Sequence, residues 1–130
     1  MSYLLDSDVT ADYLKGLAQT VQQIQPLVSS GIGISIITYG ELYDGIAGSA
    51  DPKAAERVFR QFLRVAIVLP LNRAIMRRFA TERRILRLSG RKIDDMDLLI
   101  AATAMDHNLT LVTRNLRHFG RIQGLAWQQP

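Results

Sequence analysis

The chain alternates short apolar runs with longer stretches whose apolar residues recur at helical spacing. Four apolar runs have the length of a buried strand, and a fifth, shorter one could lie at a sheet edge. These runs cover Tyr3–Asp6, Ile34–Ile37, Ala66–Leu69, Thr110–Thr113 and Leu125–Trp127. Because strands that alternate with helices form parallel sheets covered on both faces, the pattern predicts an α/β fold. We expect a three-layer α/β/α sandwich around a mostly parallel sheet, in one domain over residues 1–130.

Helix start and stop signals place the segments between the strands. Asp51 followed by Pro52 is typical of a helix start, Asn72 can cap the next helix, and Gly90 can end it. Thr38 can cap a helix that carries Glu41. The predicted helices cover about residues 9–15, 20–28, 38–46, 52–64, 72–89 and 97–106.

Three acidic residues fall where this fold would bring them to one edge of the sheet. Asp6 closes the first strand, Glu41 follows the second, and Asp97 opens an apolar helix. Ligands of parallel sheets bind beyond the carboxyl ends of the strands, and carboxylates gathered there repel one another unless a cation lies between them. Oxygen ligands favour Mg²⁺ or Mn²⁺. We therefore predict that Asp6, Glu41 and Asp97 are the catalytic residues and metal ligands of a magnesium-dependent nuclease.

The net charge of +4 conceals a strong asymmetry along the chain. Residues 57–92 hold eleven of the sixteen basic residues and one acid, Glu82. Five arginines share one face of the helix predicted there: Arg73, Arg77, Arg84, Arg87 and Arg91. Such a stripe predicts contacts with the phosphates of RNA, and a solvated face without a partner is the alternative.

Four sequence motifs follow one another over nearly the whole chain. They are Leu4-Leu5-Asp6-Ser7-Asp8-Val9, Ser35-Ile36-Ile37-Thr38-Tyr39-Gly40-Glu41-Leu42, Asp95-Met96-Asp97-Leu98-Leu99-Ile100-Ala101-Ala102-Thr103-Ala104, and Leu111-Val112-Thr113-Arg114-Asn115 with His118-Phe119. In order and spacing they resemble the motifs of PIN-domain nucleases, especially the VapC-type toxins of bacterial toxin–antitoxin pairs.

The resemblance implies an endoribonuclease toxin that uses Mg²⁺, with Mn²⁺ as a possible substitute. It also implies a homodimer and a cognate antitoxin that inserts a segment, often with a basic side chain, into the acidic site. Asp95, Thr113 and Asn115 would support the site. The chain departs from the family at Asp8, where Asn is most frequent, and at Asn115 and His118, where many relatives carry acids.

Two other functions remain open. The run from Asp6 to Thr10 also fits the first motif of haloacid-dehalogenase-like phosphohydrolases, with Asp6 as nucleophile and Asp8 as acid. A non-catalytic RNA-binding regulatory domain would be consistent with the missing fourth acid. We assign Asp94 to a helix cap and expect His118, like His107, to be a surface residue.

The composition of the chain indicates the cellular compartment in which the protein works. The chain has no cysteine, which excludes disulfides and thiolate chemistry and fits a reducing compartment. Its start lacks the basic region and apolar core of a signal peptide, and no apolar stretch has the length of a membrane span. We expect a soluble cytoplasmic protein with no membrane contact.

Overall fold

The structure, a computed structural model that describes residues 1–130, contains a five-stranded parallel sheet. Its strands are β1 (Tyr3–Leu5), β2 (Ile32–Ser35), β3 (Ala66–Leu69), β4 (Thr110–Val112) and β5 (Trp127–Gln128). They lie in the order β3-β2-β1-β4-β5, so β1 is central and the strand order reverses beside it. Such a reversal opens a crevice at the carboxyl ends of the strands.

Helices connect the strands and cover the sheet. They are α1 (Ser7–Leu14), α2 (Ala18–Ile24), α3 (Ile36–Ala47), α4 (Pro52–Phe62), α5 (Arg73–Leu88), α6 (Asp95–Asp106) and α7 (Leu116–Phe119). The predicted three-layer α/β/α class is confirmed. None of these helices combines the length and the apolar character that crossing a membrane requires.

Two apolar cores lie on opposite faces of the sheet because side chains alternate along β1. Leu4 belongs to a cluster that includes Ile100 of α6 and Phe119 of α7. Leu5 belongs to a second cluster, which includes Phe59 of α4. The central strand is thus buried on both faces, as its uninterrupted apolar sequence requires.

The second strand lies two residues earlier than the sequence predicts. The chain enters α3 at Ile36 because Ser35 caps the helix: Ser35 Oγ accepts a 3.0 Å hydrogen bond from Ile37 N. Ile36 and Ile37 are β-branched and extend the apolar run, so the sequence favours a longer strand. The cap formed by Ser35 ends the strand before them. Thr38 is consequently buried inside the first turn of α3 and is not its cap.

Proline and glycine account for the other helix boundaries. The helix expected over residues 20–28 ends at Ile24 and continues as a 3₁₀ helix over Gln25–Ser30, because Pro26 has no N–H for an α-helical bond. Asp51 caps α4 and Asn72 caps α5, as predicted. Gly90, with a φ of +69°, follows the end of α5.

The aromatic core between α3 and α4 is expected to dominate the stability of this side of the sheet. Phe59 has no exposed surface, and its ring centroid lies 5.5 Å from that of Tyr39 and 5.3 Å from that of Tyr43. Phe59→Ala should lower the free energy of unfolding, measured by urea denaturation, by about 3 to 5 kcal/mol. Val58→Ala, at an exposed position of the same helix, should change it by no more than about 0.5 kcal/mol. Similar losses in both variants would contradict this assignment of the core.

Candidate active site

Asp6 follows the central strand and lies in the middle of a hydrogen-bonded network. Only 5% of its surface is exposed. Its Oδ1 accepts a 2.8 Å hydrogen bond from Ser7 N, which caps α1, and its Oδ2 accepts one of 2.8 Å from Thr113 Oγ1. Thr113 follows β4, the neighbour of β1, so residues after two adjacent strands hold this carboxylate in place.

Burial raises the pKa of Asp6 from its usual 3.8 to about 6. The hydrogen bonds from Thr113 and Ser7 lower this pKa without offsetting burial, and the negative charges of Asp97 and Asp8 raise it further. An ionised Asp6 is therefore costly in the protein alone. A cation beside it would offset both the desolvation and the repulsion.

Glu41 is connected to this edge of the sheet through Ser7. Ser7 Oγ donates a 2.7 Å hydrogen bond to Glu41 Oε1 and lies 2.8 Å from Thr38 Oγ1. Thr38 and Glu41 are three residues apart in α3 and therefore share one face of that helix. Glu41 also lines an open cleft of about 550 Å³ together with Asp8 and Ile36.

Asp97 lies in the first turn of α6, where another residue performs the capping. Asp94 Oδ2 accepts hydrogen bonds from Met96 N at 3.1 Å and Asp97 N at 3.4 Å, as the sequence predicts for Asp94. The carboxylate of Asp97 is thereby left for another role, and its Oδ2 lies 2.7 Å from His118 Nδ1. His118, expected at the surface, is partly exposed but pairs with this acid.

Thr113 and Asn115 are joined by a hydrogen bond beside Asp6. Thr113 Oγ1 accepts a 2.9 Å hydrogen bond from Asn115 N while it donates to Asp6. The side chain of Asn115 caps α7, since its Oδ1 accepts a 3.4 Å hydrogen bond from His118 N. The loop after β4 thus contacts Asp6 directly and Asp97 through His118.

Asp95 has a different environment from the one predicted for it. Its side chain is exposed, and its Oδ1 accepts a 2.9 Å hydrogen bond from Arg83 Nε. No hydrogen bond joins it to Asp6, Asp97 or Glu41, so it links α5 to α6 instead of supporting the acids.

The side chains around Asp6 could hold a metal ion only together with water molecules. No three Asp, Glu, His or Cys side chains lie close enough together to hold one unaided. Asp97 is nevertheless near enough to raise the pKa of Asp6, whereas Glu41 reaches the network only through Ser7. These donors are oxygens, and Mg²⁺ is commonly held by one or two carboxylates with water in its other positions. Asp6 and Asp97 fit such a site.

The arginine stripe is present on α5 for four of its five predicted members. Arg73, Arg77, Arg84 and Arg87 are exposed on this helix, opposite the buried Ile75 and Leu86. Arg91 lies outside the stripe because α5 ends at Leu88 and the chain changes direction at Gly90. The prediction that Arg91 belongs to the stripe is therefore wrong, because it required the helix to continue past Gly90.

Three polar residues of this site, Ser7, Thr38 and His118, are not among the site residues that the sequence predicts. Ser7 adjoins Asp6, and Thr38 precedes Glu41 by one helical turn, so both spacings were visible in the sequence. The contact of His118 with Asp97 spans 21 positions. No local pattern indicates such a contact.

Comparison with known proteins gives consistent matches over nearly the whole chain. The PIN domain family model matches residues 1–125. Ribonuclease VapC1 of Haemophilus influenzae (strain R2866) is 32% identical, covering 98% of this chain and 97% of its own.

Two solved structures show the same fold. VapBC2 from Rickettsia felis, bound to a DNA fragment from its promoter, matches with a TM-score of 0.92 and 26% identity, covering 100% of this chain and 99% of the other. VapBC-1 from nontypeable Haemophilus influenzae matches with a TM-score of 0.88 and 30% identity, covering 99% and 98%. The resemblance of the four motifs is thus confirmed, and the chain belongs to the PIN-domain family, among the VapC ribonucleases.

Proposed function

We propose that this chain is the toxin of a toxin–antitoxin pair and cleaves RNA with a divalent cation held by Asp6 and Asp97. As a member of the VapC ribonucleases it is an endoribonuclease, a hydrolase of phosphodiester bonds. One observation carries the proposal for the metal: the carboxylate of Asp6 is buried beside the charge of Asp97, and its pKa is raised as a result. Family membership gives no support to the phosphohydrolase alternative.

Divalent metals are general cofactors of this family, and we propose Mg²⁺, with Mn²⁺ as a substitute. Asp6 and Asp97 would hold the ion directly, and Glu41 would contact the ion through a water molecule. When bound, the cation would lower the pKa of a water and neutralise charge on the phosphate.

The side chains around this position have separate tasks in the proposed reaction. Thr113 and Ser7 fix both oxygens of Asp6, so its carboxylate does not have to reorganise when a cation binds. Glu41 is held by Ser7 and borders the open cleft, where it can accept a hydrogen bond from the attacking water and orient it. The water oxygen then forms a bond to phosphorus while the bond to the leaving oxygen breaks, and a proton of the water passes to that leaving oxygen.

Three partners follow from this proposal. The similar structures are of VapBC complexes, which supports a cognate antitoxin as a protein partner. RNA is the proposed substrate, with the exposed arginines of α5 contacting its phosphates. A homodimer is proposed from the family resemblance.

The metal site is tested by replacing an aspartate with asparagine near either end of α6, in two separate variants. Asp97→Asn should lower metal-dependent RNA cleavage by roughly 100- to 1000-fold, because electrostatic stabilisation of a reacting phosphate contributes on this scale. Asp106→Asn changes an exposed acid at the last position of α6 and should leave cleavage unchanged. Expression of the wild type, but not of Asp97→Asn, should arrest growth. Binding of RNA without any metal-dependent cleavage would instead favour the regulatory-domain alternative.

The pH dependence of stability should report the charge of Asp6. Since its pKa in the folded protein is raised, its contribution is fully present below its usual pKa of 3.8 and is lost as the pH rises through about 6. At ~1.4 kcal/mol per pKa unit, metal-free wild type should lose about 3 kcal/mol more than Asp6→Asn between about pH 3 and pH 7. Mn²⁺ at neutral pH should restore stability to the wild type only. Parallel pH curves for both proteins would contradict the raised pKa.

The arginine stripe is tested by the salt dependence of RNA binding. Arg77→Gln with Arg84→Gln should weaken binding and flatten its slope by roughly 0.7 to 0.9 log units per lost phosphate contact. Lys53→Gln with Arg57→Gln removes two exposed cations from one face of α4 and serves as the control of equal charge. Equal effects of the two pairs would show that only net charge matters.

A further inference from the structure

The contact between His118 and Asp97 connects the loop region after β4 to the start of α6. Their side chains are 31% and 21% exposed, so most of each is shielded from solvent. His118 Nδ1 lies 2.7 Å from Asp97 Oδ2, and no other side chain forms a hydrogen bond with this carboxylate. His118 therefore provides the one side-chain hydrogen bond that orients the Asp97 carboxylate.

The chemistry of the carboxylate identifies the donor in this contact. A carboxylate only accepts hydrogen bonds, and 2.7 Å is typical of a charge-assisted bond. Nδ1 therefore carries a hydrogen and donates it to Asp97 Oδ2. The 3.3 Å contact of Nδ1 with Asn115 Nδ2 then joins two donors and is not a hydrogen bond in this arrangement.

The backbone around His118 is fixed from both sides. His118 N donates to the capping side chain of Asn115, and Phe119, the next residue, is fully buried in the core. The imidazole is therefore presented to Asp97 from a segment that the cap of α7 and the buried Phe119 anchor. Asp97 Oδ1 has no hydrogen-bond partner among the protein side chains, so it is left for another ligand.

We propose that His118 is a positioning residue that fixes Asp97 through Oδ2 and leaves Oδ1 for the cation. This inference rests on the proposed function, since it assigns Asp97 to the metal. Hydrogen-bond partners of metal-binding side chains orient the ligand, and their loss typically weakens metal affinity or activity about 10- to 100-fold. A residue expected on the surface thus becomes part of the proposed metal site.

The test is Mn²⁺ binding to the metal-free protein, measured by the paramagnetic resonance of free Mn²⁺. His118→Ala should weaken binding by about 10- to 100-fold. His118→Asn should restore most of the affinity, because its amide nitrogen lies where Nδ1 was and can donate to Asp97 Oδ2. His107→Ala removes the other histidine, exposed at the end of α6, and should bind as the wild type does.

Urea unfolding of each variant separates positioning from a general loss of structure. Should His118→Ala not fold, His118→Phe keeps a ring without a donor and takes its place with the same expected loss. Unchanged Mn²⁺ affinity in the donor-free variant overturns the inference, and so does equal weakening in His118→Asn. In either case the proposed function stands if Asp97→Asn abolishes binding. If the wild type shows no binding that depends on Asp97, the proposed metal site fails and the inference fails with it.

Discussion

Burial of the Asp6 carboxylate at the end of the central strand is the constraint on which the rest of the site depends. A charge that is 5% exposed loses most of its hydration, and two hydrogen bonds from Ser7 and Thr113 recover only part of it, as the raised pKa shows. The free energy that burial costs is available to any cation that binds there. The cation proposed above would therefore raise the stability of the folded protein when it binds beside Asp6.

The topology of the sheet brings the other groups to this carboxylate. Because β1 lies between β2 and β4, the segments that follow those strands meet the end of β1 from opposite sides. After β2, α3 provides Thr38 and Glu41, and after β4 the chain provides Thr113. Thr113 thus bonds to the Asp6 carboxylate directly, whereas Thr38 and Glu41 are joined to this end of β1 through the side chain of Ser7.

The sequence predicts the layers, the strand directions and the acids, because each depends on local pattern or on the general geometry of parallel sheets. It fails where one polar side chain decides between two local conformations, as Ser35 does at the junction of β2 and α3. It also fails for pairings across the fold. Asp95 matches a motif position but pairs with Arg83, and His118 pairs with Asp97 across 21 positions. Pairings of this kind depend on how helices pack, which no single segment encodes.

The packing of α5 against α6 determines where the arginine stripe lies relative to the acids at the start of α6. Leu86 of the arginine-bearing helix and Leu98 of the acid-bearing helix are buried in one cluster, so the two helices pack directly against each other. The Arg83–Asp95 ion pair across them is partly exposed and adds little stability by itself. The ion pair instead neutralises the charge of Asp95. Because Asp94 caps the helix, Asp97 is the acid at the start of α6 that is left for the proposed cation. In the proposed function, an RNA backbone that contacts the arginines of α5 would therefore lie on the helix that packs against the one carrying Asp97.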